Sequence, residues 1–89
     1  MAAPLTADVL KDDIAISLAR AMAAANRRAR ELGVDVPQTL ITIIQRARNG
    51  GLVWRINYGP KDYVGRRGGD LIIEVDPSDA SITQVLWGQ

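Results

Sequence analysis

The chain has 89 residues, of which 47% are apolar and 24% are charged. This length predicts one domain, residues 1–89, and this composition predicts a folded core. Because the chain contains neither Cys nor His, it excludes disulfides, thiolate nucleophiles, sulfur-ligated metals and the commonest general base. The sequence therefore indicates no cofactor and no metal site, and it favours a non-enzymatic function.

The charges nearly cancel, with 11 cationic and 10 anionic side chains. No strong overall field is therefore expected to attract nucleic acid or an anionic membrane. No apolar run approaches the ~18 residues of a membrane span. The stretch Met1 to Pro4 also lacks the basic flank of a signal peptide. We expect a cytoplasmic protein that does not bind membranes and whose main partner is not nucleic acid.

The segment from Thr6 to Gly33 predicts one long amphipathic helix, because its apolar residues recur at spacings of three and four. The stripe consists of Leu10, Ile14, Leu18, Met22, Ala25, Ala29 and Leu32. Thr6 or Asp12 would cap its start, and Gly33 fits the left-handed stop position. The predicted helix is somewhat longer than the strands, so we expect a kink or a separate first turn near Asp12.

A hairpin follows, formed by Thr39 to Ala47 and Leu52 to Tyr58, which are rich in β-branched and aromatic residues. Asn49-Gly50 predicts a two-residue type I′ turn, because both residues tolerate positive φ. That turn would set the pairs Ala47 with Leu52, Ile43 with Ile56 and Ile41 with Tyr58. The face that carries Trp54 and Ile56 should receive the helix.

After the loop Gly59 to Gly69, Asp70 to Asp76 and Ile82 to Trp87 predict two further strands joined by a turn at Pro77. Two registers of the last strand remain open. Ile82, Gln84 and Leu86 would face the helix in one, and Thr83, Val85 and Trp87 in the other, which we favour. The predicted fold is α+β, with one long N-terminal helix packed on a four-stranded antiparallel meander sheet.

The sequence segment GGDLIIEVDPSDASITQVLWG resembles PepSY-type and cystatin-like domains, and so does the order of the helix and strands that precede it. The likeness rests on Val75, Asp76, Pro77, Ile82 and Val85. It implies a helix wrapped by a curved meander sheet and a role in binding or inhibiting other proteins. The inhibitory glutamine-valine-glycine hairpin of cystatins is absent, since the hairpin here reads RNGG, which argues against protease inhibition.

The outer face of the predicted sheet is the first candidate site, because one helix covers only one face. Its candidate protein-binding residues are Ile44, Arg46, Arg48, Val53, Arg55 and Ile72. Mixed apolar and Arg surfaces are typical of recognition sites, although scattered exposed apolar residues are also ordinary. We expect a protein partner or a second copy in a homodimer. If the chain were an engineered binder scaffold, its redesigned residues would lie on this face.

The alternative is a nucleic-acid or anionic-ligand site in the Gly-Arg loop 59–69. Lys61, Tyr63, Arg66 and Arg67 supply cationic donors and a flat ring. The arginines of the helix, Arg20, Arg27, Arg28 and Arg30, would extend this site. A solvated connecting loop explains the same residues, because the loop lacks the pattern of a phosphate-binding Walker A motif. Complementing the helix dipole explains the helix arginines equally well.

Overall fold

The computed structural model describes residues 6–61 and 70–88. Its helical part consists of a single turn, α1 (Ala7–Leu10), and a 19-residue helix, α2 (Asp13–Glu31). The predicted break near Asp12 is confirmed: its carboxylate accepts a 2.8 Å hydrogen bond from the Ala15 N–H and caps α2. The side chain of Thr6 makes no capping bond. Gly33 ends the helix at φ +89°, as predicted.

The helix packs on the sheet through small side chains. Ala21, Ala25 and Ala29 are fully buried and recur at four-residue spacing, which lets the helix backbone approach the strands closely. The predicted apolar stripe is correct from Leu18 onward, since Leu18, Met22 and Leu32 pack against this core. It is wrong at the start of the helix, where Leu10 and Ile14 are 63% and 66% exposed. The side-chain hydrogen bond between α2 and the sheet nearest to this end is the one between Ser17 and Trp54.

Four antiparallel strands form one sheet in the order β1-β2-β3-β4. The strands are β1 (Thr39–Arg48), β2 (Gly51–Pro60), β3 (Leu71–Val75) and β4 (Ile82–Trp87). A short 3-10 helix, Val36–Gln38, leads into β1. The predicted α+β fold is therefore confirmed. The predicted loop began too early, because Gly59 and Pro60 continue β2.

The first hairpin has the predicted register to the residue. Ala47 pairs with Leu52 and Ile43 with Ile56, and Asn49 and Gly50 take φ +51° and +82°, as a type I′ turn requires. The core lies between α2 and the inner face of the sheet. Its strand residues are Trp54, Ile56, Tyr58, Leu71, Ile73 and Val75.

A β-bulge resolves the two predicted registers of β4. Val85 and Trp87 pair with Ile73 and Leu71 on the inner face, as favoured. Trp87 is nevertheless 50% exposed, so the expectation that it packs in the core is wrong. Ile82 also pairs with an inner-face residue, Val75, because the ladder shifts by one residue between Glu74 and Val75. Ile82 and Val85 both pack against the core. Among the described residues, no helix is long and apolar enough to cross a membrane.

Candidate protein interface

The centre of the outer sheet face is a charged cluster around Glu74. This side chain lies on the face away from the helix, yet it is completely buried. Arg55 donates a 3.0 Å hydrogen bond from Nη1 to Glu74 Oε2. Arg46 Nη1 lies 3.8 Å from the same oxygen, and Arg48 Nε lies 3.2 Å from Oε1. Three guanidinium groups thus enclose one carboxylate.

The cluster leaves part of its hydrogen-bonding capacity unused. Arg48 Nε is close enough to Glu74 Oε1 for a strong Coulomb attraction, but Oε1 accepts no aligned hydrogen bond. Arg48 instead donates a 3.1 Å bond from Nη1 to Gln84 Oε1 on β4. Because a buried carboxylate is costly without several donors, Glu74 depends on these arginines. They in turn are held in defined positions on the surface.

Two of the predicted interface residues are not exposed. Val53 is 8% and Ile72 is 5% exposed, so the expectation that they would contact water is wrong. Both lie on central strands, where side chains have neighbours on two sides: Ile72 stands between Asn57 and Leu86 in the ladder. Val53 lies opposite Arg46, whose long aliphatic stem is suited to covering it.

The exposed apolar surface lies instead along β1. Leu40 and Ile44 on the outer face are each 49% exposed, and Ile43 on the inner face is 36% exposed. The helix packs chiefly over β2 and β3, so β1 projects beyond its cover. β1 is also an edge strand, and none of the described residues pairs with its other side. Ile44, Arg46 and Arg48 therefore share a strand whose outer face and free edge are open and whose inner face is covered only in part, at Ile41.

On the inner face of the sheet, two side-chain hydrogen bonds connect the helix to the sheet. Trp54 Nε1 donates to Ser17 Oγ at 2.9 Å, and the Tyr58 hydroxyl donates to Asn26 Oδ1 at 2.7 Å. Burial raises the pKa of Tyr58 to about 12, against a smaller lowering by Arg30. Both aromatic side chains lie in the core. The sequence reasoning missed Ser17 and Asn26, although small polar residues within an apolar helix stripe were the available signal.

Only one of the four predicted anion-binding residues lies in the described part of the chain. Lys61 is exposed at the end of β2, whereas Tyr63, Arg66 and Arg67 lie outside the described residues. On the helix, Arg27 and Arg28 form ion pairs with Glu31, at 3.7 and 3.1 Å. Within residues 6–61 and 70–88, no acidic cluster is arranged to hold a metal ion.

Comparison of the chain with protein-family models, with curated proteins and with solved structures finds no match. The resemblance to PepSY-type and cystatin-like domains, drawn from the segment around Val75-Asp76-Pro77, therefore stays a prediction. The surface geometry, in particular that of β1 and the Glu74 cluster, is the basis on which a function can be assigned.

Proposed function

We propose that this chain is a non-enzymatic protein-binding module whose recognition surface is β1 together with the arginines beside it on the outer sheet face. The observation that carries the proposal is the exposure of β1, a ten-residue edge strand whose outer face carries half-exposed Leu40 and Ile44 and whose inner face is only partly covered, at Ile41. Exposed strands of this length offer an unpaired row of backbone donors and acceptors to another chain. Proteins that do not use such a strand generally shorten, cover or charge it.

The side chains on β1 and beside it suit recognition. Leu40 and Ile44 supply apolar area, while Arg46 and Arg48 supply forked donors at their flank, and this mixture is typical of interface centres. The side chains of Arg46 and Arg48 are 44% and 34% exposed, so they can reach a partner. Their attachment to Glu74 lowers the entropy cost of ordering them on binding.

The Glu74 cluster also supports the non-enzymatic part of the proposal. A general base must be free to take a proton from a substrate, whereas the Glu74 carboxylate is buried behind three arginines. The alternative anionic-ligand site depends on Lys61, Tyr63, Arg66 and Arg67. Binding of an anionic ligand at that site would be recognised by an affinity that falls steeply as the salt concentration rises.

A comparative capture experiment tests the proposal. Three baits are immobilised: the wild-type chain, the variant Leu40→Thr/Ile44→Thr and the control Ile14→Gln. Each is exposed to a lysate of the cells in which the protein naturally occurs, to which a differently tagged second copy of the chain has been added. Threonine keeps the β-branched preference for strands but removes apolar area. Ile14→Gln removes an apolar side chain of the helix that is even more exposed, at 66% against 49% for Leu40 and Ile44.

We expect proteins that are retained by the wild type and by Ile14→Gln but lost from the double variant. Identical sets of retained proteins on all three baits, including empty sets, would contradict the proposal. Charge reversal at Arg55 is unsuitable as a test, because its guanidinium is bonded to buried Glu74 and the variant would lose stability.

A further inference from the structure

The geometry of β1 points to a second copy of this chain as the partner. Resting on the proposed function, we infer that two chains pair antiparallel through their β1 strands, about a two-fold axis at Thr42. Two-fold dimers are the commonest oligomers, and they require a surface that complements itself. β1 meets that requirement in one particular register.

The backbone groups that face the free edge follow from the hairpin. In a hairpin with a two-residue turn, the two residues that flank the turn form a hydrogen-bonded pair, and here they are Arg48 and Gly51. Hydrogen-bonded and non-hydrogen-bonded pairs then alternate along an antiparallel ladder. The even-numbered residues of β1 therefore bond to β2, and the odd-numbered ones direct N–H and C=O to the free edge. These are Thr39, Ile41, Ile43, Gln45 and Ala47.

Pairing about Thr42 places odd-numbered residues opposite odd-numbered residues, so their free backbone groups meet. It sets Ile41 against Ile43 of the second copy on the inner face. On the outer face it sets Leu40 against Ile44, and Thr42 against itself. About eight backbone hydrogen bonds would form between residues 39 and 45 of the two chains. Each exposed apolar side chain of this segment gains an apolar neighbour across the axis.

Registers with the axis shifted towards the Asn49-Gly50 turn are less favourable. An axis at Ile43 sets Leu40 opposite Arg46, and an axis at Ile44 sets Leu40 opposite Arg48. The axis at Thr42 leaves Arg46 beyond the ladder. It also keeps the two copies of Arg46 about 27 Å apart along the strands, well beyond the screening distance of roughly 8 Å at physiological salt. Like charges therefore do not oppose this register.

The other edge of the sheet is a poorer partner. β4 has six residues against ten in β1, and the bulge between Glu74 and Val75 interrupts its ladder. Bulges at edges hinder regular pairing with a further strand. The β1 ladder about Thr42 would be roughly 24 Å long and bury on the order of 500 Å² per copy, less than a standard interface. We therefore expect a dimer that dissociates at micromolar concentrations.

Single-cysteine variants test this register, because the chain has no cysteine of its own. In a non-hydrogen-bonded pair the Cα atoms lie about 4.5 Å apart, within disulfide range. Thr42→Cys should therefore form a covalent dimer under mild oxidation at tens of micromolar. Leu40→Cys and Ile44→Cys should each form no covalent dimer when oxidised alone, since like residues then lie about 14 Å apart. An equimolar mixture of these two should crosslink.

Light scattering of the unmodified chain supplies a second measurement. We expect the mass to rise from 9.7 kDa towards twice that value with concentration, at low and at high salt. The proposed dimer would be refuted if all three cysteine variants crosslinked equally, or if Thr42→Cys formed no covalent dimer. Loss of a different protein from the Leu40→Thr/Ile44→Thr bait would then still support the proposed function, so the two failures are distinguishable.

Discussion

The Glu74 cluster should be the most sensitive polar element of the fold, and Glu74→Gln tests this with almost no change of volume. The amide cannot neutralise the guanidinium groups that lie 3.0, 3.2 and 3.8 Å from the carboxylate oxygens. Removing one partner from a buried ion pair typically costs about 3–5 kcal/mol. The arginine side chains here are between 22% and 44% exposed, so water recovers part of that loss. We expect unfolding free energy to fall by about 2–3 kcal/mol.

The matched control is Glu31→Gln, which removes an acid that also pairs with two arginines, Arg27 and Arg28. Glu31 is half exposed, and such surface pairs contribute about 0–1 kcal/mol. Urea denaturation at neutral pH and low salt measures both variants. A Glu74→Gln cost within ~0.5 kcal/mol of the control, a difference too small for a buried pair, would refute the reasoning.

A double variant separates charge pairing from packing. Replacing Glu74 and Arg55 together by Met leaves no buried charge at the centre of the cluster, and apolar replacement of a buried pair is often neutral. We expect Glu74→Met/Arg55→Met to be more stable than Glu74→Gln. A double variant that is less stable would show that Arg55 contributes through contacts other than Glu74.

Two further predictions concern the core and the hairpin. Tyr58 holds its phenol proton to a pKa of about 12, whereas a tyrosine in the unfolded chain ionises near pH 10. Between these values the unfolded state has fewer bound protons, so stability should fall as pH rises, by about 1.4 kcal/mol per unit relative to Tyr58→Phe in urea titrations. Parallel pH dependence of the two proteins would contradict this. Gly50 has φ +82° and open space where a Cβ would stand, so Gly50→Ala should cost about 1 kcal/mol through backbone strain alone. Asn49→Gly should be nearly neutral, and equal thermal midpoints for the wild type and both variants would refute the role assigned to the turn.

The sequence was most informative where local chemistry determines geometry. Asn49-Gly50 determined the hairpin register because few residue pairs accept two consecutive positive φ values. Asp12 was one of the two predicted caps, and it marks the start of α2 because its carboxylate accepts a hydrogen bond from the Ala15 N–H. By contrast, the register of β4 could not be chosen from alternation, since a bulge at Glu74 and Val75 places residues from both candidate sets inward.

The exposure of the outer face was harder to predict for a related reason. Alternation along a strand states which face a side chain occupies, but it says nothing of how many neighbours surround it there. Ile72 and Glu74 occupy the predicted face and are nevertheless buried, because β3 is a central strand. Ile44 and Leu40, on the edge strand, occupy the same face and are half exposed. The position of a strand in the sheet therefore decides which outward residues are available for binding.

An exposed edge as apolar as β1 also creates a risk, because long β-branched edges are templates for uncontrolled strand addition. A two-fold pairing about Thr42 would remove both β1 edges at once, since each is paired with the other. The combined sheet would then end in two copies of β4, which is short and bulged. Growth by further strand addition would stop there. The same pairing that supplies a binding function would in this way close the assembly at two chains.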